Sequence, residues 1–102
     1  MISPFVDTGA PPLTQPDLTA LRAQFRLQGD PLVRWVRRET KGGGFGDPEG
    51  HPHAWGVWAM VDGQWRRVTS ARGLPREWTS LDRVETWLRG LGFIAFSVMR
   101  EE

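Results

Sequence analysis

Two apolar runs joined by Asp62-Gly63 constrain the fold more than any other feature of the sequence. An Asp-Gly pair readily adopts the positive φ angles of a two-residue hairpin turn, and the length of that turn sets the register of the flanking strands. We therefore predict an antiparallel hairpin formed by residues 54–61 and 64–70. The expected pairs across it are Val61 with Gln64, Ala59 with Arg66, and Val57 with Val68.

A first helix is predicted well before the hairpin, where apolar residues recur at helical spacing. Thr14 can cap its free backbone N–H groups, Pro16 is tolerated in the first turn, and Asp17 favours the positive end of the helix dipole. We expect the helix to run to about Gln28 and to stop at Gly29. Its apolar stripe is predicted to contain Leu18, Leu21 and Phe25.

Three further segments complete the predicted architecture. Residues 32–39 and 93–99 alternate as strands do, and between them a second helix begins at Thr79-Ser80 and ends near Gly90. The order helix, strand, loop, hairpin, helix, strand indicates an α+β fold. We expect a small mixed or antiparallel sheet of about four strands packed with two helices.

The chain has the length of one domain, because 102 residues provide material for a single hydrophobic core. Residues 1–13 contain four glycines and prolines and little periodicity, so they are predicted to form an irregular arm. The domain then spans residues 14–102. A glycine-rich loop at residues 40–53, predicted to be mobile, interrupts it.

Composition excludes several classes of protein. The absence of cysteine rules out disulfides, thiolate nucleophiles and Cys-ligated metal sites. No apolar run approaches the roughly 18 residues needed to cross a bilayer, and the first residues lack the basic start and apolar stretch of a secretion signal. We therefore expect a cytoplasmic protein with no membrane partner, stabilised by packing alone.

The loop contains the best candidates for metal or acid–base chemistry. His51 and His53 lie close to Asp47 and Glu49, but the flanking glycines leave these side chains poorly preorganised for a metal ion. No Ser-His-Asp arrangement and no fixed acid–base pair can be assembled around them. We expect no enzymatic activity, no cofactor and no metal.

The glycine run at residues 42–46 invites comparison with a phosphate-binding loop. Such a loop joins a strand to a helix and is followed by Lys-Ser or Lys-Thr, whereas this run leads into another strand. A loop that becomes ordered when a partner binds is the better interpretation. Phe45 would then be its apolar contact.

Arginine and tryptophan dominate the candidate binding residues. The chain has twelve arginines, one lysine and six tryptophans, and most of the tryptophans are expected in the core, with one or two left as binding anchors. If residues 32–39 and 64–70 form neighbouring strands, alternation brings several guanidinium groups near Trp35 and Trp65. The candidates are Arg34, Trp35, Arg37, Arg38, Phe45, Arg66, Arg67 and Arg72.

The charge balance bears on the kind of partner. A planar guanidinium group suits carboxylates, phosphates and aromatic faces alike, and a GC-rich genome would also produce this arginine bias. The net charge of only +1 argues against strong nonspecific binding to DNA. We therefore favour a protein partner over nucleic acid. Binding to nucleic acid is kept as an alternative, and the protein could also form a homodimer.

One stretch resembles known accessory proteins. Residues 73–82 read GLPREWTSLD and residues 88–93 read LRGLGF, with a predicted strand from Trp65 before them. This pattern resembles ParC-like partition-associated proteins and the KfrB-like domain of plasmids and integrated elements, over roughly the last half of the chain. The resemblance implies a mobile-element setting and a non-enzymatic role in maintenance, partition or regulation.

These observations predict a non-enzymatic binding or regulatory accessory protein of a plasmid or integrated element. Two alternatives stay open. One is a small inhibitor protein of mobile-element origin that occupies a host defence complex. The other is a nucleic-acid-binding protein that uses an arginine–tryptophan surface.

Overall fold

The computed structural model describes residues 5–39, 50 and 52–100. The elements in this part of the chain are α1 (Gln15–Ala23), β1 (Leu32–Arg37), β2 (His53–Val61), β3 (Gln64–Arg67), α2 (Leu81–Gly90) and β4 (Ser97–Arg100). The four strands form one mixed sheet in the order β3-β2-β1-β4. The predicted α+β fold is thereby confirmed.

The hairpin formed by β2 and β3 has the predicted register. Asp62 and Gly63 have φ angles of 51° and 79°, as a two-residue hairpin turn requires. The amide of Gly63 also donates a 2.6 Å hydrogen bond to the side chain of Gln28. The three predicted pairs are present as Val61–Gln64, Ala59–Arg66 and a 2.8 Å hydrogen bond from Val68 N to Val57 O.

Strand β1 lies in the interior of the sheet. It pairs antiparallel with β2 along its whole length and parallel with β4 over four residues. The parallel pairing joins Leu32 to Ser97 and Trp35 to Arg100. Because paired residues point to the same face, the register decides which side chains of β1, β2 and β4 meet.

Leu13 closes part of the sheet edge at β3. Its backbone N–H donates to Arg67 O at 2.8 Å, and its carbonyl accepts from Thr69 N at 2.7 Å. Its side chain is fully buried in the core. This last residue of the predicted irregular arm is therefore a fixed part of the fold.

Both helices pack on the same face of the sheet. Leu18 and Leu21 of α1 share one buried cluster with Val84 and Leu88 of α2. The sheet residues in that cluster are Val33, Trp55, Val57, Ala59, Val61 and Val68. We call this the helix-packed face. The opposite face, called the second face, contains Arg34, Gly56, Trp58, Met60, Trp65 and Arg67.

Helix α1 is shorter than predicted. It ends at Ala23, and Phe25, placed on the inner stripe by its spacing, has a positive φ of 56° and is 95% exposed. Hydrogen bonds from Phe25 N to Arg22 O and from Arg26 N to Leu21 O form a Schellman-type end. The chain is then free to form a bridge between residues 27 and 61, which a helix continued to residue 28 would prevent.

The bounds of three strands also differ from prediction. Strand β4 begins at Ser97 rather than at residue 93, β1 ends at Arg37 rather than at residue 39, and β3 ends at Arg67 rather than at residue 70. Phe93 and Phe96 both pack against the core, although they are three positions apart. A strand would send them to opposite faces, so the backbone between them is irregular.

Thr14 caps the first turn of α1, as predicted, and Asp17 returns the contact, so that the two residues form a capping box. Thr14 Oγ1 accepts a 3.3 Å hydrogen bond from Asp17 N, and Asp17 Oδ2 accepts a 3.0 Å hydrogen bond from Thr14 N. These bonds to Thr14 lower the pKa of Asp17. The ionised carboxylate is therefore the form that stabilises the helix start.

Replacing Asp17 with Asn is expected to lower the melting temperature at pH 7, because a neutral amide accepts a weaker hydrogen bond and loses the attraction to the helix dipole. Since the pKa of Asp17 is lowered on folding, its contribution exists above the ordinary value of 3.8 and disappears as the pH falls below it. The difference in melting temperature between variant and wild type should shrink in the same range. Thermal melts followed by circular dichroism at successively lower pH measure it.

Asp30→Asn is the control, since it removes another exposed carboxylate outside the helix. It breaks neither bond between Thr14 and Asp17, so it should lower the melting temperature at pH 7 by less than Asp17→Asn does. A difference between Asp17→Asn and wild type that stays constant through the acid range would contradict the role of the capping box.

Candidate binding surfaces

The arginines and tryptophans predicted to form one patch lie on two surfaces. The condition for a single patch, that β1 and β3 are neighbouring strands, is not met, because β2 lies between them. Trp35 is on the helix-packed face, whereas Trp65 is on the second face. Of the six tryptophans, Trp55 and Trp58 are buried and the other four are half-buried.

On the second face, Arg34 is held between two aromatic rings. Its guanidinium carbon lies 3.7 Å from the ring centroid of Phe5 and 4.9 Å from that of Trp58. The residue is only 7% exposed. Stacking of this kind replaces part of the hydration that a buried guanidinium loses. Arg34 is therefore a packed member of the fold.

Arg67 lies over the same indole ring, with its guanidinium carbon 4.7 Å from the centroid of Trp58. Its Nη1 atom is 2.6 Å from the carboxylate of Glu39, and its Nη2 atom is 3.3 Å from that of Glu77. The Glu77 side chain is fully buried and also accepts a 3.0 Å hydrogen bond from Glu39 N. The charge of Arg67 is thus balanced inside the molecule.

Burial and neighbouring charges act on the guanidinium group of Arg34. Burial lowers the pKa of Arg34, the neighbouring charge of Arg67 lowers it further, and Asp7 raises it. A cation that is stacked, desolvated and close to another cation is poorly placed to attract a phosphate from solution. The second face as it stands is consequently a covered layer of the domain.

Gly56 allows the layer above it to lie close to the sheet. A Cβ atom at this position would be 2.9 Å from Trp58 Cζ3 and 3.0 Å from Arg67 Nη2. Real Cβ atoms do not approach other heavy atoms at 2.9 Å. The absent side chain is therefore what allows the indole and the guanidinium to rest on the backbone of β2.

A second group of side chains lies at one end of the sheet, on the helix-packed face, where β1 and β4 end and β2 begins. We call it the strand-end patch, formed by Trp35, Arg37, His53 and Arg100. In the sheet register Arg37 faces His53, and Trp35 lies beside Arg100. Arg37, His53 and Arg100 are exposed, and Trp35 is half-buried. The patch therefore offers two cations and an aromatic surface to solvent.

The centre of the strand-end patch is an aromatic stack. The His53 ring lies parallel to the Trp35 ring, with centroids 5.7 Å apart and an angle of 17° between the planes. Trp35 also contacts Trp55 at 4.8 Å, and the guanidinium carbon of Arg100 lies 5.4 Å from the Trp35 centroid. These contacts hold the Trp35 and His53 rings in place on the sheet.

Sequence reasoning missed two members of this patch. His53 was considered only as a metal ligand in the predicted loop, but it is the first residue of β2, so the loop ends one residue earlier than predicted. Arg100 was not considered. The parallel pairing of β1 with β4 brings it to Trp35, and no local pattern indicates that pairing.

The remaining candidates are dispersed. Arg66 Nε donates to Pro11 O at 2.7 Å, and half-buried Arg38 donates its backbone N–H to Pro52 O at 2.8 Å. Arg72 is exposed in a turn after β3. Phe45, the glycine run and His51 lie outside the described residues, so the predicted contact of the loop stays a prediction.

A third aromatic group joins the two helices. Gln15 Oε1 accepts hydrogen bonds of 3.1 Å from both Trp87 Nε1 and Arg76 Nη1. The rings of Trp78 and Trp87 lie 4.8 Å apart, and the guanidinium carbon of Arg76 is within 5.3 Å of both. Because these polar atoms are hydrogen-bonded to one another, we interpret the group as part of the packing between the helices.

A shallow cleft of about 350 Å³ lies beside this group. It is lined by Trp78, Asp82, Arg83 and Thr86.

No family model, no curated protein and no solved structure matches the chain. Within residues 5–39, 50 and 52–100, no three His, Asp or Glu side chains gather as metal ligands would. Neither helix described above has the length and apolar character needed to span a membrane.

Replacing Gly56 with Ala should destabilise the domain by about 1–3 kcal/mol, because the new methyl group must displace the Trp58 ring or the Arg67 guanidinium. Gly90→Ala is the matched control. A Cβ there meets nothing within 4 Å, and alanine is favoured over glycine in a helix by about 0.5–1 kcal/mol. Urea denaturation of both variants should give shifts of opposite sign. Shifts of the same sign and size would contradict the close packing over Gly56.

Proposed function

We propose that this chain is a non-enzymatic binding domain of a regulatory or accessory protein and that the strand-end patch contacts its partner. The observation that carries the proposal is the exposed His53 ring stacked on Trp35, with Arg37 opposite it and Arg100 beside the indole. Aromatic and arginine side chains held in place in this way supply much of the energy at protein interfaces. The resemblance of residues 73–93 to plasmid accessory proteins supports the regulatory or maintenance role.

A protein partner with an acidic surface is the favoured ligand. The whole chain is almost neutral, with 13 Lys and Arg against 12 Asp and Glu, so the argument depends on where the charges lie. Arg37 and Arg100 are exposed, whereas the cations of the second face are already compensated or stacked. Guanidinium groups pair with carboxylates through two parallel hydrogen bonds, which gives both energy and orientation.

A single-stranded nucleic acid is the second candidate, and one specific observation favours it. His53 forms the exposed end of an aromatic stack, Arg37 faces it in the sheet register, and Arg100 lies over the stacked Trp35 ring. Proteins that bind single strands combine such stacking platforms with positive groups that follow the phosphates. The low net charge of the chain is the reason for ranking this candidate second.

The double variant Arg37→Ala/Arg100→Ala should bind the partner at least about tenfold more weakly than wild type, a loss of about 1.4 kcal/mol. The matched control is Arg72→Ala/Arg83→Ala, which removes the same charge from exposed positions outside the patch. Each protein is immobilised and incubated with nuclease-treated lysate of the cells that encode it, and captured proteins are quantified by mass spectrometry. The same partner should be retained by the control and lost from the patch variant.

Two other results would be decisive. Equal losses from both double variants would show that net charge, and not the strand-end patch, determines binding. The second result concerns nucleic acid. If capture is lost when the lysate is treated with nuclease, and if wild type and control but not the patch variant change the anisotropy of a labelled single-stranded oligonucleotide, the nucleic-acid candidate is supported instead.

A further inference from the structure

Strand β4 forms one edge of the sheet, and in the described part of the chain no strand lies beyond it. Ser97 N donates a 2.9 Å hydrogen bond to Pro31 O, so the backbone groups of Ser97 point toward β1. Successive residues of a strand direct these groups to opposite sides. The N–H and C=O groups of Val98 and Arg100 therefore point outward, where they can pair with another strand.

The opposite edge of the sheet is partly covered by the chain itself. At the end of β3, Leu13 donates its N–H to Arg67 O and accepts a hydrogen bond from Thr69 N. The side chain of Arg66 holds the segment just before it through the carbonyl of Pro11. Of the two edges, β4 is thus the one that the described residues leave open along its whole length.

Apolar side chains remain in contact with water at this edge. Val98 is 47% exposed, and Ile94, four residues before it, is fully exposed. Phe96, the residue before β4, packs against the core but is only half-buried. A strand added beside β4 would remove part of this apolar surface from water, which favours association.

A second copy of β4 matches this edge. If two antiparallel β4 strands are related by a two-fold axis at Val98, the outward N–H and C=O groups of each Val98 meet those of the other. Val98 and Arg100 both point to the helix-packed face, as their partners in β1 do. The two Val98 side chains then become neighbours, and Arg100 of each copy lies opposite Phe96 of the other. Pairs of apolar side chains, and of a guanidinium with an aromatic ring, are favourable across strands.

We infer that the chain forms a two-fold symmetric dimer by antiparallel pairing of β4 with β4 of a second copy, which joins the two four-stranded sheets into one. The net charge of +1 leaves little repulsion between the copies. Because β4 has four residues, we expect a small interface and a dissociation constant in the micromolar range. Trp35, Arg37 and His53 take no part in this contact, so it does not depend on the function proposed for the strand-end patch.

Substitutions at Val98 test the position of the axis, because the symmetry puts residue 98 of one copy opposite residue 98 of the other. Val98→Lys and Val98→Glu each place two like charges there and should weaken dimerisation at least about fivefold. An equimolar mixture of the two variants places opposite charges there and should associate more tightly than either variant alone. Sedimentation equilibrium at protein concentrations of about 5–500 µM measures wild type, both variants and the mixture.

Leu74→Lys is the matched control, since Leu74 is a 55% exposed apolar residue in the segment after β3. It adds the same charge as Val98→Lys and should leave the dissociation constant of wild type unchanged.

Wild type provides a second measurement that needs no substitution. Amide hydrogen exchange of Val98 and Arg100, followed by NMR, should be at least about twofold slower at about 1 mM protein than at about 50 µM. The amide of Met99 points toward β1 and should be protected at both concentrations.

Four results would overturn the inference. The first is a wild type that remains monomeric at about 500 µM. The second is equal weakening by Val98→Lys and Leu74→Lys, which would make charge and not the β4 edge the cause. The third is a mixture of Val98→Lys and Val98→Glu that associates no better than the separate variants. The fourth is a wild-type dimer in which the exchange of Val98 and Arg100 does not change with concentration, which would place the interface elsewhere.

Discussion

Strand β2 carries large or apolar side chains on both of its faces, and almost every residue along it is buried. The rest of the architecture follows from the need to keep water from both sides of this one strand. The helix-packed face is covered in the usual way, by leucines and valines of α1 and α2. The second face is covered by a thinner layer in which Arg34 and Arg67 lie on Trp58 and Phe5 completes the cover.

A cover made of arginine has different physical requirements from a cover made of leucine. A guanidinium plane can shield an indole ring from water, but its charge must be compensated or stacked where it is desolvated. Here Glu77 is buried beside Arg67, and Arg34 lies between two rings. The charged contacts of Arg34 and Arg67 on this face are therefore part of the packing, whereas Arg37 and Arg100 of the strand-end patch are exposed to solvent.

The hairpin, the start of α1 at Thr14 and the fold class could be predicted, because each is indicated by residues close together in sequence. The Asp62-Gly63 turn sets its own register, and Thr14 and Asp17 satisfy each other's backbone groups. What failed depends on distant contacts. The predicted helix passed through Phe25 because apolar spacing does not show that the next residues pair with β2, and the single arginine patch failed because strand order is a property of the whole sheet.

The parallel pair between β1 and β4 joins residues about 65 positions apart in sequence. Bringing such distant segments together costs loop-closure entropy before any contact is gained, so this pair belongs to the slow part of folding. Arg100 reaches Trp35 only through that pair. A chain in which the hairpin and both helices have formed but β4 has not yet docked would therefore lack Arg100 beside Trp35, so the strand-end patch is completed only when this long-range pairing has formed.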